Sequence, residues 1–240
     1  VVLVIVVLRK KRIILAGLLC AGLVLGLGFF GVRKQAPVMV FSPCRFGDET
    51  YIIDPGHGGE DGGAIAISGK TESAVNLEIS LRLDPLLHFY GVNTMMTRRE
   101  DLSLHDESAK TLRQKKISDL HHRVAMIEEV QNATLVSIHQ NSYPEQKYRG
   151  MQVFYNDQAS LPLAQSMQEN VRRFLDSTNQ RKIMKVPSSV YLMKHITCRA
   201  VLVECGFLTN PTDDQLLQDP DYQKRVAIVI AAACLSEKKT

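Results

Sequence analysis

The sequence predicts an α/β sandwich: a central, mostly parallel or mixed sheet of about six strands with helices on both faces, preceded by an N-terminal transmembrane helix. Three observations carry this reading. Short runs rich in β-branched residues alternate along the chain with longer segments of helical spacing. The strand runs are almost continuously apolar, as they are in a sheet covered on both faces. Residues 13–32 contain no charged side chain, a stretch long enough for a helix to cross a hydrocarbon core of about 30 Å.

That apolar stretch follows four basic residues, Arg9, Lys10, Lys11 and Arg12, and precedes only Arg33 and Lys34. The bias places the N-terminus in the cytoplasm and everything downstream outside. Residues 1–34 therefore read as a membrane anchor. A signal peptide cleaved near Gly26-Leu27-Gly28 is the rival, although the run exceeds a usual signal core. Residues 35–50, with Pro37, Pro43 and Gly47, read as a linker, and residues 51–240 as one folded domain.

The net charge of +4 belongs to the N-terminus. Residues 1–40 hold six of the 29 basic residues and no acid, which leaves 23 basic against 25 acidic residues in the rest. A body so close to neutral has no electrostatic footprint for nucleic acid. The five cysteines are odd in number and lack any C-x2-C spacing, so neither a disulfide framework nor a structural zinc site is indicated. Leu19 before Cys20 argues against lipid attachment there.

Within the domain, Tyr51, Ile52 and Ile53 form the first strand, broken by Asp54-Pro55-Gly56, with His57 at its end. Gly58, Gly59, Gly62 and Gly63 follow, so the backbone can wrap closely around a metal or a phosphate. Residues 72–90 have helical spacing (Val75, Ile79, Leu83, Leu87), stopped by Gly91, with Pro85 predicted to kink or break the last turn. A strand at 92–96, a long surface loop at 97–116 and a helix at 117–130 come next. Strands are then expected at 134–138, ending at His139, and at 151–155. A helix at 161–177, a strand at 190–193, an apolar strand at 200–203 ending at Glu204, and a helix at 222–235 complete the domain.

His57, His139 and Glu204 thus stand at the ends of predicted strands, where open α/β sheets bind ligands. Glu72, at the start of the first long helix, can fold back to the same edge. Two imidazoles and one carboxylate with an open fourth position make a catalytic zinc site, and the remaining glutamate is then a general base. His88, His105, His121, His122 and His195 have no comparable placement. A competing motif, AIAISGKT at 64–71, resembles a phosphate-binding loop with its first glycine replaced, but it begins about ten residues after the strand that such a loop must leave directly.

Four ordered segments, IIDPGHGGEDGGA, the Glu72 after GKT, SIHQNS at 137–142 and VLVECGFLTNP at 201–211, resemble the type 3 family of zinc-dependent N-acetylmuramoyl-L-alanine amidases. The resemblance implies that residues 51–240 are a catalytic domain, that His57, Glu72 and His139 ligate Zn2+, and that Glu204 is catalytic. It implies hydrolysis of the amide between the lactyl group of N-acetylmuramic acid and L-alanine.

HDE at 105–107, RQKKISDLHHR at 113–123 and YLMKHIT at 191–197, with the N-terminal anchor, are similar to the germination-specific branch of that family. This implies action on spore cortex as the first step toward muramic-δ-lactam, on the extracytoplasmic side of the membrane that holds the N-terminal helix. The implied partners are glycan strands and stem peptides of peptidoglycan, with an activating lipoprotein as in some relatives. Thr134, Ser73 and the Cys198-Arg199-Ala200 segment depart from the family's usual residues without touching a ligand. The alternatives are a membrane-tethered, non-catalytic peptidoglycan-binding module with the same fold, and a zinc peptidase cutting between stem amino acids.

Overall fold

The computed structural model describes residues 48–236. The expected membrane helix and most of the expected linker lie outside them. Among the described residues, no helix is long and apolar enough to cross a membrane.

In chain order the elements are β1 (Thr50–Pro55), α1 (Glu72–Phe89), β2 (Asn93–Met96), α2 (Leu112–Glu128), β3 (Ala133–Asn141), β4 (Gln152–Tyr155), α3 (Leu161–Asn170), which runs into a π-helical turn at Val171–Leu175, β5 (Met184–Lys185), α4 (Tyr191–His195), β6 (Arg199–Phe207), α5 (Pro211–Gln218) and α6 (Pro220–Ser236). The strands form one six-stranded sheet in the order β2-β1-β3-β6-β4-β5. β2, β1, β3 and β6 are mutually parallel, and β4 is antiparallel to β6 with β5 parallel to it. The sheet is therefore mixed, and its four parallel strands all end at one edge.

Strand alternation sends successive side chains to opposite faces. Ile53, Val136, Ile138, Val201 and Val203 pack with residues of α1, α3 and α6. Ile52, Leu135, Ala200 and Leu202 pack on the other face with Ile127 of α2 and with Leu192 and Met193 of α4. On α1 the residues Val75, Ile79, Leu83 and Leu87 are completely buried, four apart, so one stripe of the helix meets the sheet.

Several boundaries differ from expectation. The strand expected at 190–193 is instead the short helix α4. Val190 N–H donates to Pro187 O and Lys194 N–H to Val190 O, closing one turn. A turn lets the neighbours Leu192 and Met193 both bury on one side, whereas a strand would send them to opposite faces. The fifth strand is the two-residue β5.

Helix α2 begins at Leu112, not near 117, because Thr111 and Gln114 form a reciprocal capping box. The stretch before it is not all surface, since Thr97 and Arg98 are buried. Helix α1 runs through Pro85 to Phe89. Pro85 frees the carbonyl of Leu81, and Leu81 is exposed, so water can satisfy it. Helix α5 has no counterpart in the expected elements, although Asn210 caps it by accepting from Thr212 and Asp213 N–H, with Pro211 opening the first turn.

Candidate active site

The site is built at the edge where β1, β3 and β6 end. β1 turns sharply at Gly56, where a β-carbon would lie 2.2 Å from the His139 ring. A side chain there would force the His139 ring to move. His57 follows with φ of 62°, an uncommon backbone state for a residue with a side chain. It is held by Arg123, whose Nη2 donates to His57 O at 2.8 Å. Gly63, with φ of +69°, completes the wrap, because a β-carbon there would come within 2.6 Å of Glu72 Oε2.

His57, Glu72 and His139 converge, with one ligand-capable atom from each lying within 4.8 Å of the others. Glu72 Oε1 is 3.3 Å from His57 Nε2 and 3.0 Å from His139 Nδ1. The backbone N–H of Ala64 donates to Glu72 Oε2, and that of Gln140 to Oε1. Burial pushes the Glu72 carboxyl up, but its bonds to His139 and His57 outweigh that and hold it far below the usual carboxylate range. Burial likewise opposes charge on His57, yet hydrogen bonds to Asp61 and Glu72 raise its imidazole to about 9. Two imidazoles drawn this tightly to a carboxylate are a donor set suited to a borderline divalent cation.

Asp61 orients the first imidazole. His57 Nδ1 donates to Asp61 Oδ2 at 2.9 Å, since an ionised carboxylate can only accept. That fixes a proton on Nδ1 and turns Nε2 toward Glu72, so Nε2 is the nitrogen that a cation would take in place of its proton. The His57 bond, against a burial penalty, keeps the Asp61 carboxyl well below its ordinary value, and Lys116 Nζ lies 3.1 Å from Oδ2.

Glu204 is the register partner of His139 on the adjacent parallel strand, so the two side chains leave the sheet on the same face. Both residues sit inside their strands and not beyond them, because β3 continues to Asn141 and β6 to Phe207. Among the described residues, Glu204 Oε2 is buried and has no hydrogen-bond partner. Burial pushes its carboxyl up to about 7, with His139 opposing and the Glu72 carboxylate adding to the rise. A carboxyl in that range can take and return a proton near neutral pH.

Beneath the turn lies a buried charge network that residue patterns alone did not reveal. Arg123 Nη1 donates to Asp54 Oδ1 at 2.5 Å and its Nε to Asp119 Oδ2 at 2.7 Å. Thr97 and Ser137 hydroxyls also donate to Asp54, each at 2.7 Å. Burial raises the Asp54 carboxyl, but the Arg123 charge and these bonds win and lower it to about 2. Arg98 adds donations to Pro55 O, Gly56 O and Ser73 O, tying the turn to the start of α1. A readable signal existed in the i, i+4 spacing of Asp119 and Arg123, which interrupts the apolar stripe of α2 with a matched pair.

A cavity of about 210 Å³ opens beside the histidines, between the sheet edge, α2 and α4, with Leu120, Leu192 and Met193 on its apolar side and Lys116 at its polar side. The AIAISGKT segment does not cradle phosphate. Lys70 Nζ is engaged by Glu78 at 2.6 Å, and Ser68 donates through both N–H and hydroxyl to Asp214. Of the other histidines, His122 pairs with Asp106 on the surface and His195 stacks on Tyr191 at 3.9 Å.

A family model described as N-acetylmuramoyl-L-alanine amidase matches residues 52–236. The chain is 39% identical over 178 residues to the germination-specific N-acetylmuramoyl-L-alanine amidase of Bacillus subtilis, covering 73% of each protein. Among solved structures, the CwlD amidase of Clostridioides difficile, determined in complex with the GerS lipoprotein, superposes with a TM-score of 0.74 at 37% identity, covering 78% of this chain and 96% of that one. The catalytic domain of CwlV, an N-acetylmuramoyl-L-alanine amidase from Bacillus (Paenibacillus) polymyxa var. colistinus, gives a TM-score of 0.64 at 28% identity, covering 78% and 96%.

Proposed function

This chain belongs to the N-acetylmuramoyl-L-alanine amidase family, and we propose that it uses zinc held by His57, Glu72 and His139, with Glu204 as proton carrier, to release stem peptides from spore-cortex peptidoglycan. The observation that carries this reading is the convergence of His57, Glu72 and His139 beside a buried, unpartnered Glu204 oxygen. Bound there, zinc supplies Lewis-acid polarisation of the scissile carbonyl and acidification of water.

The side chains do the rest. Asp61 fixes the His57 tautomer, and Arg123 holds the strained turn that carries it. Glu204 accepts the proton of the attacking water and passes it to the departing L-alanine amine, the round trip of a general acid–base carboxyl. The lactyl carboxylate remains on the glycan.

The cortex assignment rests on likeness to the germination-specific amidase of Bacillus subtilis and to CwlD. In that setting the cleavage is the first step toward muramic-δ-lactam, and the catalytic domain works outside the membrane that anchors residues 1–34. The complex of CwlD with GerS supports an activating lipoprotein as a partner for this chain too.

Product-end analysis tests the reaction. Purified peptidoglycan incubated with the protein and zinc should yield peptides beginning with a free L-alanine amine and glycan carrying a free lactyl carboxylate. Shortened stems left on the glycan would indicate a peptidase. Binding to the polymer with neither product would indicate a non-catalytic module.

A further inference from the structure

A second polar cavity, of about 350 Å³, lies at the same end of the sheet as the histidine cluster. The topology puts it there. β4 runs antiparallel to β6, so the loop carrying Lys147, Tyr148 and Arg149 enters β4 where β6 leaves the sheet, and β5 is parallel to β4, so residues 176–183 arrive at that end as well. Gln152, the register partner of Glu204, fastens this corner by donating its Nε2 to Lys182 O at 2.8 Å.

Arg181 is the unusual group in this cavity. Its guanidinium lies over the rings of Phe207, 4.6 Å from the centroid, and Tyr148, at 5.7 Å, while its Nε donates to Arg149 O at 3.1 Å. These contacts set the plane of the fork before any ligand arrives. The other cations at the cavity have counter-charges: Lys147 pairs with Glu145, and Arg149 lies 3.7 Å from Asp176 and 3.8 Å from Asp213. Arg181 makes no ion pair among the described residues. A half-buried, oriented guanidinium with its outer edge unpaired matches a carboxylate in a two-bond geometry.

We propose that this cavity is a carboxylate subsite, in which Arg181 binds a free carboxylate of the stem peptide released at the histidine cluster. The identity of the ligand rests on the amidase reading, and the spacing supports it. Phe207, over which the guanidinium lies, ends β6 three residues past Glu204, about 10 Å at about 3.3 Å per residue. An extended peptide covers that distance in about three residues. The carboxylate taken is therefore one borne by the second or third stem residue.

Equilibrium binding of free stem tripeptide to the full chain tests this, using the peptide with all carboxylates free and two versions amidated at residue two or residue three alone. Wild-type protein should lose about tenfold in affinity for one amidated version, and that version names the residue bound. Arg181→Ala should lose about the same for the free peptide and no longer distinguish the three ligands, whereas Arg181→Lys should recover part of the difference. Equal binding of all three peptides by wild type, absence of binding, or undiminished discrimination in Arg181→Ala would each overturn the subsite. The wild-type comparison does not depend on how the variants fold. If stems are released from peptidoglycan but the three peptides bind alike, the subsite fails and the amidase reading stands. Carboxylate-dependent binding without release would keep the subsite and remove the amidase reading.

Discussion

His139 and Glu204 are paired residue for residue across the parallel β3–β6 ladder, one joining His57 and Glu72 and the other presenting a buried carboxyl oxygen with no hydrogen-bond partner among the described residues. Adjacent strands sit about 4.8 Å apart, so the ladder itself fixes the separation between the imidazole and the carboxyl. Replacing Glu204 by Gln keeps the shape and removes the basic oxygen. Turnover should fall about 10²- to 10⁴-fold while zinc content, read by metal analysis, stays at the wild-type ratio.

Asp61→Asn should act differently. The amide can no longer hold the proton on His57 Nδ1 as an acceptor charge does. Zinc affinity, measured by competition with a chelator, should weaken about 10- to 100-fold, and turnover at saturating zinc should recover most of its value. Unchanged affinity would remove Asp61 from the site.

Gly56→Ala tests the close approach of the turn to β3. The added methyl would lie 2.2 Å from the His139 ring, so the ring must move. The variant should fold, because the methyl meets a side chain and not backbone, and should bind zinc at least about tenfold more weakly. Retained affinity would contradict the geometry.

The Asp54–Arg123 pair predicts an acid limb. Asp54 is lowered in the folded protein from 3.8 to about 2, so its stabilisation is fully present above the unfolded value and is lost as pH falls through about 2. The shift corresponds to about 2 kcal/mol. Urea unfolding of metal-free protein at pH 5 and pH 2 should show wild type losing about that much more than Asp54→Asn. The variant itself should be about 3 to 5 kcal/mol less stable at pH 5, because Arg123 is left short of a counter-charge. Parallel pH profiles would refute the assignment.

Much of this molecule was legible from residue patterns because apolar periodicity and strand-ending polar groups are local signals. The parallel strands around Ile52, Val136 and Val201 announce themselves as apolar runs, and glycine spacing marks the turn at His57. What escaped was nonlocal or ambiguous. Arg98, Arg123 and Asp54 lie far apart along the chain, and nothing in a single segment says that they meet. Leu192 and Met193 form an apolar pair too short for periodicity to separate strand from helical turn. The start of α2 and the whole of α5 escaped because their signals lie in capping side chains, Thr111 with Gln114 and Asn210, and not in the apolar stripe.

The proposed chemistry divides the work between one cluster that holds the metal and a separate carboxyl that moves the proton. Zinc content and stem-peptide release, measured on the same preparations of wild type, His57→Ala and Glu204→Gln, separate the two roles. Wild type should carry one zinc and release peptides with a free L-alanine amine, His57→Ala should lack both, and Glu204→Gln should carry one zinc and release almost nothing. A His57→Ala protein with full zinc, or a Glu204→Gln protein with full turnover, would overturn that division.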